Sequence, residues 1–336
     1  MMTSNCFYYG VYSPKGYYSL ASRPTFSAGR NFVVKSYRPS VKQKFFDKIK
    51  AELDKRGHSY IDFRADGKSD GVFSKDADLR VIDGTYCTFD ETDFSVICLD
   101  DDEIAEAEPC LKVRDEAVQR TKRFLSACRC ISNDMLRLEA ANIDLAKINR
   151  FSSRLWSSTG GSLTGAVGTE HKRFVTCFTS DGVELNMEAF DIYCDNVTVL
   201  CDKTGACAGR IVDRVRRYAL SAGYDVISCL CPLNVDSGAE HIIIPELKYG
   251  IFVNKHFHKA DFHNCRKVFT GRFMMVGGAE NKNRMDFSFK AYKRLMQEVF
   301  SSLEIVEFCD SELDKITNIN NDNEKIGKTL QKVFSP

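Results

Sequence analysis

A lysine that heads an amphipathic stretch just after a β-branched run is placed to meet an anion. Lys42 is such a residue, following Asn31-Phe32-Val33-Val34-Lys35, with Ser36, Arg38 and Ser40 before it and Gln43 after it. A strand, a loop and a helix N-terminus aim free N–H groups and the positive end of the helix dipole at one point, where phosphate binds. Asp83 stands at the end of a later strand. Ser36, Arg38, Ser40, Lys42, Gln43 and Asp83 are therefore the candidate ligand-binding set. No residue reads as a catalytic nucleophile or base. The plain alternatives are a solvated lysine and an Asp83-Gly84 turn. Against the first, Lys42, Lys44 and Arg210 fall in first helical turns, where the dipole disfavours a cation. An anion bound there relieves the conflict, and on that reading Lys42→Ala leaves the unliganded protein as stable as before.

Two other clusters carry less. His256, His258, Asp261, His263 and Cys265 put five metal-ligand types within ten positions. Their spacing matches no zinc signature, so a polar loop after a strand explains them and no metal is assigned. Arg210, Arg214 and Arg217 share a helical face, which a solvated surface explains.

The elements that position these residues occur twice. At a spacing of 166, Ser13-Pro14-Lys15-Gly16 meets Thr179-Ser180-Asp181-Gly182, Asp47 meets Asp213, Gly57 meets Gly223, Ile61 meets Ile227 and Asp70 meets Asp236. Each copy reads as a short strand, a polar turn and a second element (Phe7 to Leu20; Phe174 to Phe190). A β-branched strand, a loop and a helix follow. The helices span Lys42 to Arg56 and Gly209 to Ala222, with Gly57 and Gly223 at their C-termini. Further strands are Ser59–Phe63 and Leu79–Asp83, matched by Asp225–Cys229 and Tyr249–Val253. Strand, helix and strand in this order predict a mainly parallel sheet. At a spacing of 171, Asp83 meets Asn254 and Asp90 meets Asp261, which implies a five-residue insertion around Glu240 to Pro245. Each copy ends in a long charged helical region. The expected domains are 1–156 and 169–336, with the Gly/Ser/Thr-rich segment 157–168 as linker.

This order of elements resembles a bacterial family of tandem P-loop NTPase-like proteins labelled ATPases or nucleotide kinases. The resemblance rests on Tyr8 to Tyr18, on the strand-loop-helix and on Val81-Ile82-Asp83-Gly84-Thr85. In the second copy it rests on Cys231 to Ser237 and Ile244 to Lys248. It implies two three-layer α-β-α domains and ATP with Mg²⁺ as ligands. The family's Gly-x-x-x-x-Gly-Lys-[Ser/Thr] falls on Ser36 to Gln43, where only Lys42 survives, and on Asp202 to Gly209, where the lysine is Ala208. Val41 disfavours the left-handed backbone that a glycine would supply. Gln43 replaces the Mg²⁺ hydroxyl on which phosphoryl transfer relies. The expected function is thus a pseudo-NTPase, a scaffold with weak ATP affinity in the first copy. The alternative is an active ATPase or nucleotide kinase with an unconventional loop.

A formal net charge of +1 gives no global reason to expect nucleic acid. No run of eighteen apolar residues exists for a membrane span. Fourteen cysteines lie scattered in apolar runs without a Cys-x-x-Cys pair and read as reduced thiols. With no secretory signal, the expectation is a cytoplasmic protein whose partner is a nucleotide or another protein.

Overall fold

The computed structural model describes residues 6–21, 23–65, 68–84, 94–100, 105–255, 259–262, 265–275, 281–316 and 319–334. His256, His258, His263, Thr85 and Asp90 lie outside them. Two compact units form, one of Met1–Arg123, Thr179–Gly182 and Val299–Pro336, the other of Phe124–Phe178 and Val183–Glu298.

The chain opens with an antiparallel hairpin, β1 (Gly10–Ser13) and β2 (Gly16–Ser19). Then come β3 (Arg30–Lys35), α1 (Pro39–Lys55), β4 (Ile61–Ala65), β5 (Lys68–Ser74), β6 (Leu79–Asp83) and β7 (Ser95–Cys98). Their sheet has the order β4-β5-β6-β3-β7. A long helix α2 (Glu108–Ala140) and a shorter α3 (Leu145–Ser157) follow. After β8 (Glu170–Arg173) a second hairpin forms from β9 (Thr176–Thr179) and β10 (Gly182–Leu185). The remaining elements are α4 (Glu188–Tyr193), β11 (Asn196–Cys201), α5 (Ala206–Ala222), β12 (Val226–Cys229), β13 (His241–Ile244), β14 (Tyr249–Asn254), β15 (Cys265–Phe269), α6 (Lys282–Lys315) and α7 (Ile319–Phe334). The second sheet has the order β15-β11-β14-β13-β12-β8.

The first sheet is half parallel and half antiparallel, and the second is parallel in three of its five strand pairings. β3 runs parallel to β6 and β7, and β11 to β14 and β15. β5 and β13 run antiparallel to both neighbours. Only four residues join β5 to β6 and β13 to β14, too few for a parallel crossover. The three-layer expectation also changes on one face. Instead of long helices, Tyr9 and Phe26 cover Phe63 in the first sheet, and Phe190 of the short α4 covers Phe252 in the second.

A shift of 166 residues carries the buried stripe of α1 (Val41, Lys42, Phe45, Phe46, Ile49, Leu53) onto buried residues of α5 (Cys207, Ala208, Ile211, Val212, Val215, Ala219). Strand registers correct the rest of the alignment. Val34 pairs with Asp83, and its counterpart Leu200 pairs with Val253, so Asp83 answers to Val253 and not to Asn254. Val72 pairs with Val81 as Ile242 pairs with Ile251, which sets Asp70 opposite Glu240 rather than Asp236. The inserted residues lie in the connection 230–240; Glu240 to Pro245 is largely strand β13.

The short terminal helices pack on distant crossover helices. Ile148, Phe151 and Leu155 of α3 join the core of α5. Ile326 and Val333 of α7 join the core of α1. Residues 157–168 follow the end of α5, where Thr164 N–H donates to the Ala222 carbonyl and Gly168 N–H to that of Leu220. Every cysteine among the described residues is a free thiol. No helix among them is long and apolar enough to cross a membrane.

Ile148→Ala should cost about 2–5 kcal/mol by opening a cavity between α3 and α5. Urea unfolding followed by Trp156, the single tryptophan and a neighbour of Tyr224, measures this. An unchanged midpoint would contradict the docking of α3 on α5.

Candidate functional site

Helix α1 begins earlier than its apolar spacing predicts. Pro39 takes the first helical position, where its missing N–H costs nothing and its φ is preset. The loop after β3 is therefore only Ser36-Tyr37-Arg38, too short to wrap a phosphate as the aligned pattern would. Carboxylates of the chain itself fill the space. Asp100 accepts from Tyr37 N–H at 2.6 Å, from Ser36 Oγ at 3.0 Å and from Arg38 Nε at 3.2 Å. Asp314 accepts from Ser40 N–H at 2.9 Å. Arg38 is buried and forks onto Asp322 with contacts of 2.9 and 2.7 Å. Burial opposes its charge, but Asp322 and Asp100 outweigh that and hold its pKa above the ordinary value.

Lys42 Nζ donates to Asp83 Oδ2 at 2.6 Å, with both side chains largely buried. The anion that the helix-head lysine requires is thus Asp83 itself. This reverses the expected consequence of removing Lys42, because its loss strands a buried carboxylate. Gln43 faces another way: its Oε1 accepts Ser69 N–H at 2.9 Å and its Nε2 donates to Asp47 at 3.0 Å. The six candidate residues therefore resolve into an Asp100-centred knot (Ser36, Arg38), an ion pair (Lys42, Asp83), a backbone donor (Ser40) and a strand tie (Gln43). Beside the ion pair, Tyr17 donates to Asp70 at 2.6 Å. Burial, and then the neighbouring Asp83, push the Asp70 carboxyl up to about 7.

The second loop is closed from within as well. Asp202 follows β11 and turns its carboxylate into the head of α5. Its Oδ1 accepts from Thr204 N–H at 3.2 Å and Gly205 N–H at 2.9 Å. Its Oδ2 accepts from Cys207 N–H at 2.9 Å and Ala208 N–H at 2.8 Å. Gly205 makes the turn at φ 90°, and a Cβ there would lie 2.6 Å from Lys255 Cε. Thr204 Oγ1 donates to Glu139, whose pKa burial raises. Lys255 pairs with the buried Glu240.

Two clefts open at the C-terminal ends of β11 and β14, the edge at which open α/β sheets bind ligands. One, ≈ 490 Å³, is bordered by Gly205, Gly209, Arg137, Arg210 and Lys255. The other, ≈ 600 Å³, is bordered by Lys203, Lys259, Lys267 and the exposed Phe269. The described residues hold no group of three or more His, Cys, Asp or Glu fit to bind a metal.

Sequence reasoning found the strand-loop-helix positions but missed the carboxylates that occupy them. Asp202 was visible as an acid standing where a glycine was expected. Asp314 and Asp322 approach from 274 and 284 residues away and leave no local signal. No family model, curated protein or solved structure matches the chain.

Lys42→Ala should destabilise the protein by about 3–5 kcal/mol, since it takes the lysine partner from a largely buried carboxylate. Lys42→Met with Asp83→Val, which approximates the apolar pair Ala208 and Val253, should recover most of that loss in urea titrations. Additive losses would argue against the pairing. Asp70 gives a pH dependence of definite sign. The folded protein holds its proton more tightly than the unfolded chain, so this contribution is complete below about pH 4 and is lost as pH rises through about 7. Asp70→Asn should flatten that slope in unfolding midpoints taken across the window; an unaltered slope would count against it.

Proposed function

We propose that this chain is a scaffold of pseudo-NTPase type, built by duplication of a P-loop-like half and working by binding rather than hydrolysis. The carboxylate of Asp202, seated on four N–H groups at the head of α5, carries the reading. It takes the place that a phosphate takes in a nucleotide-binding loop, and an incoming phosphate would meet its charge. In the first half, Lys42 is spent on Asp83 and Gln43 on Ser69 and Asp47. Duplication is supported by the shared strand order, the two hairpins and the corresponding buried positions of α1 and α5.

A second reading, weak affinity for ATP or another phosphate compound, is favoured by one observation. The cleft bordered by Lys203, Lys259 and Lys267 carries more basic than acidic side chains and presents the exposed ring of Phe269. On this reading any such affinity belongs to the second half rather than to Lys42.

The wild type should turn over no Mg-ATP. Asp202→Ala should lose about 1–3 kcal/mol through unsatisfied N–H groups, and inorganic phosphate should restore melting temperature in this variant but not in the wild type. ATP hydrolysis by the wild type that Lys42→Ala abolishes would overturn the scaffold reading in favour of an active enzyme.

A further inference from the structure

Within the first compact unit, the start of α2 lies along the end of α6. Arg114 Nε meets Asp310 Oδ1 at 2.7 Å, and Ala117 and Val118 pack with Val306. One helical turn before Arg114 and one residue before Asp310, Cys110 and Cys309 approach each other. The Cys110 thiol donates to the Cys309 carbonyl at 3.4 Å. Neither belongs to either loop head.

We propose that Cys110 and Cys309 are a peroxide-reactive dithiol whose oxidation staples α2 to α6. Cys110 is half-buried, in the first turn of α2, and is the more accessible of the two thiols. It attacks one oxygen of hydrogen peroxide, the O–O bond breaks, and the other oxygen leaves as hydroxide and takes up a proton as water. Cys110 becomes a sulfenic acid. Cys309 then attacks the Cys110 sulfur, the S–O bond breaks, and a second water leaves as the disulfide forms. Two thiols are oxidised and one peroxide is reduced to two waters. The division of labour follows from the surroundings. Cys309 is fully buried, and burial first, with the Cys110 hydrogen bond second, raises its thiol to about 11. It is slow to meet peroxide directly and well placed to resolve the sulfenic acid beside it.

The consequence reaches the head of α1. The last turn of α6 carries Asp314, which caps Ser40, and α7 carries Asp322, which holds Arg38. A staple at Cys309 anchors that segment five residues before Asp314, so oxidation fixes the cap in place.

The test is titration of the intact protein with hydrogen peroxide under native conditions, quenched by alkylation and mapped by peptide mass spectrometry. The expected product is a peptide pair linked through Cys110 and Cys309, formed before any other disulfide, with two thiols lost and both regained on adding dithiothreitol. Cys110→Ser and Cys309→Ser should each abolish that pair, and Cys309→Ser should instead trap a sulfenic acid on Cys110 that a dimedone probe labels. The oxidised wild type should melt at a higher temperature than the reduced protein. Mapping on the wild type stands whether or not the serine variants fold. A first disulfide elsewhere, or over-oxidation of Cys110 with Cys309 still free, would overturn the proposal.

Discussion

The structure turns on carboxylates held at the N-termini of two buried helices. The first turn of a helix leaves several N–H groups without partners, and the dipole adds partial positive charge there. When that end lies in a core, something anionic must sit on it. A nucleotide-binding loop leaves the place for phosphate. Here Asp202 fills it with four hydrogen bonds from backbone donors, enough to offset the cost of taking its charge out of water. Because Asp202 is attached only a few residues from the donors, an external anion would have to displace it to reach them. Asp100 and Asp314 do the same work at α1, split between one loop N–H and one helix N–H.

Helix exchange is what makes this closure possible. Asp314 is the penultimate residue of α6, and Glu139 is the penultimate residue of α2. Each long helix delivers an acid to a loop head far from it in sequence, and the shorter helix that follows it packs on the same crossover helix. Hydrophobic and polar contacts therefore reinforce one another. The cluster of Ile326 and Val333 on α1 seats α7, and the seated helix brings Asp322 to Arg38. Burial of that fork in turn depends on the apolar contacts around it, so the cap and the core should be lost together.

How much of this was readable in the chain depended on range. The β3 and β11 runs, the stripe Phe45-Phe46-Ile49-Leu53 and the glycines at 57 and 223 act locally, and all appear where periodicity placed them. The polar turns read at Ser13 and Thr179 are those of the two hairpins, whose second element is a strand in each case. Strand direction was misjudged because β5 and β13 were not recognised as strands. One is broken by Gly71; the other hides in Ile242-Ile243-Ile244 before a proline. Missing them made the step from Asp83 to Asn254 look natural, although it changes the face of the sheet. Within the fold the candidate-site residues bond to the chain's own groups, Lys42 to Asp83 and Gln43 to Ser69 and Asp47. Lys42 reads as a phosphate ligand only so long as the carboxylate across from it is assumed to hold a metal.

Comparing the two halves shows what the buried charge is for. The strand position of Asp70 carries an acid in both halves, since its counterpart is Glu240. A carboxylate there needs a cation nearby or a proton. In the first half the cation comes from α1 as Lys42, which also meets Asp83, and one of the two clustered acids keeps a proton near neutrality. In the second half Ala208 and Val253 occupy the positions of Lys42 and Asp83 within the apolar core, and the cation is Lys255, just past the end of β14. Burial opposes the Lys255 charge, yet Glu240 outweighs it and raises its pKa. The requirement belongs to the strand acid, and the lysine reaches it from whichever element is near. A lysine at a helix head is thus explained by charge compensation within the fold, and its presence in one half and absence from the other says more about where Asp70 and Glu240 find a partner than about where a phosphate would bind.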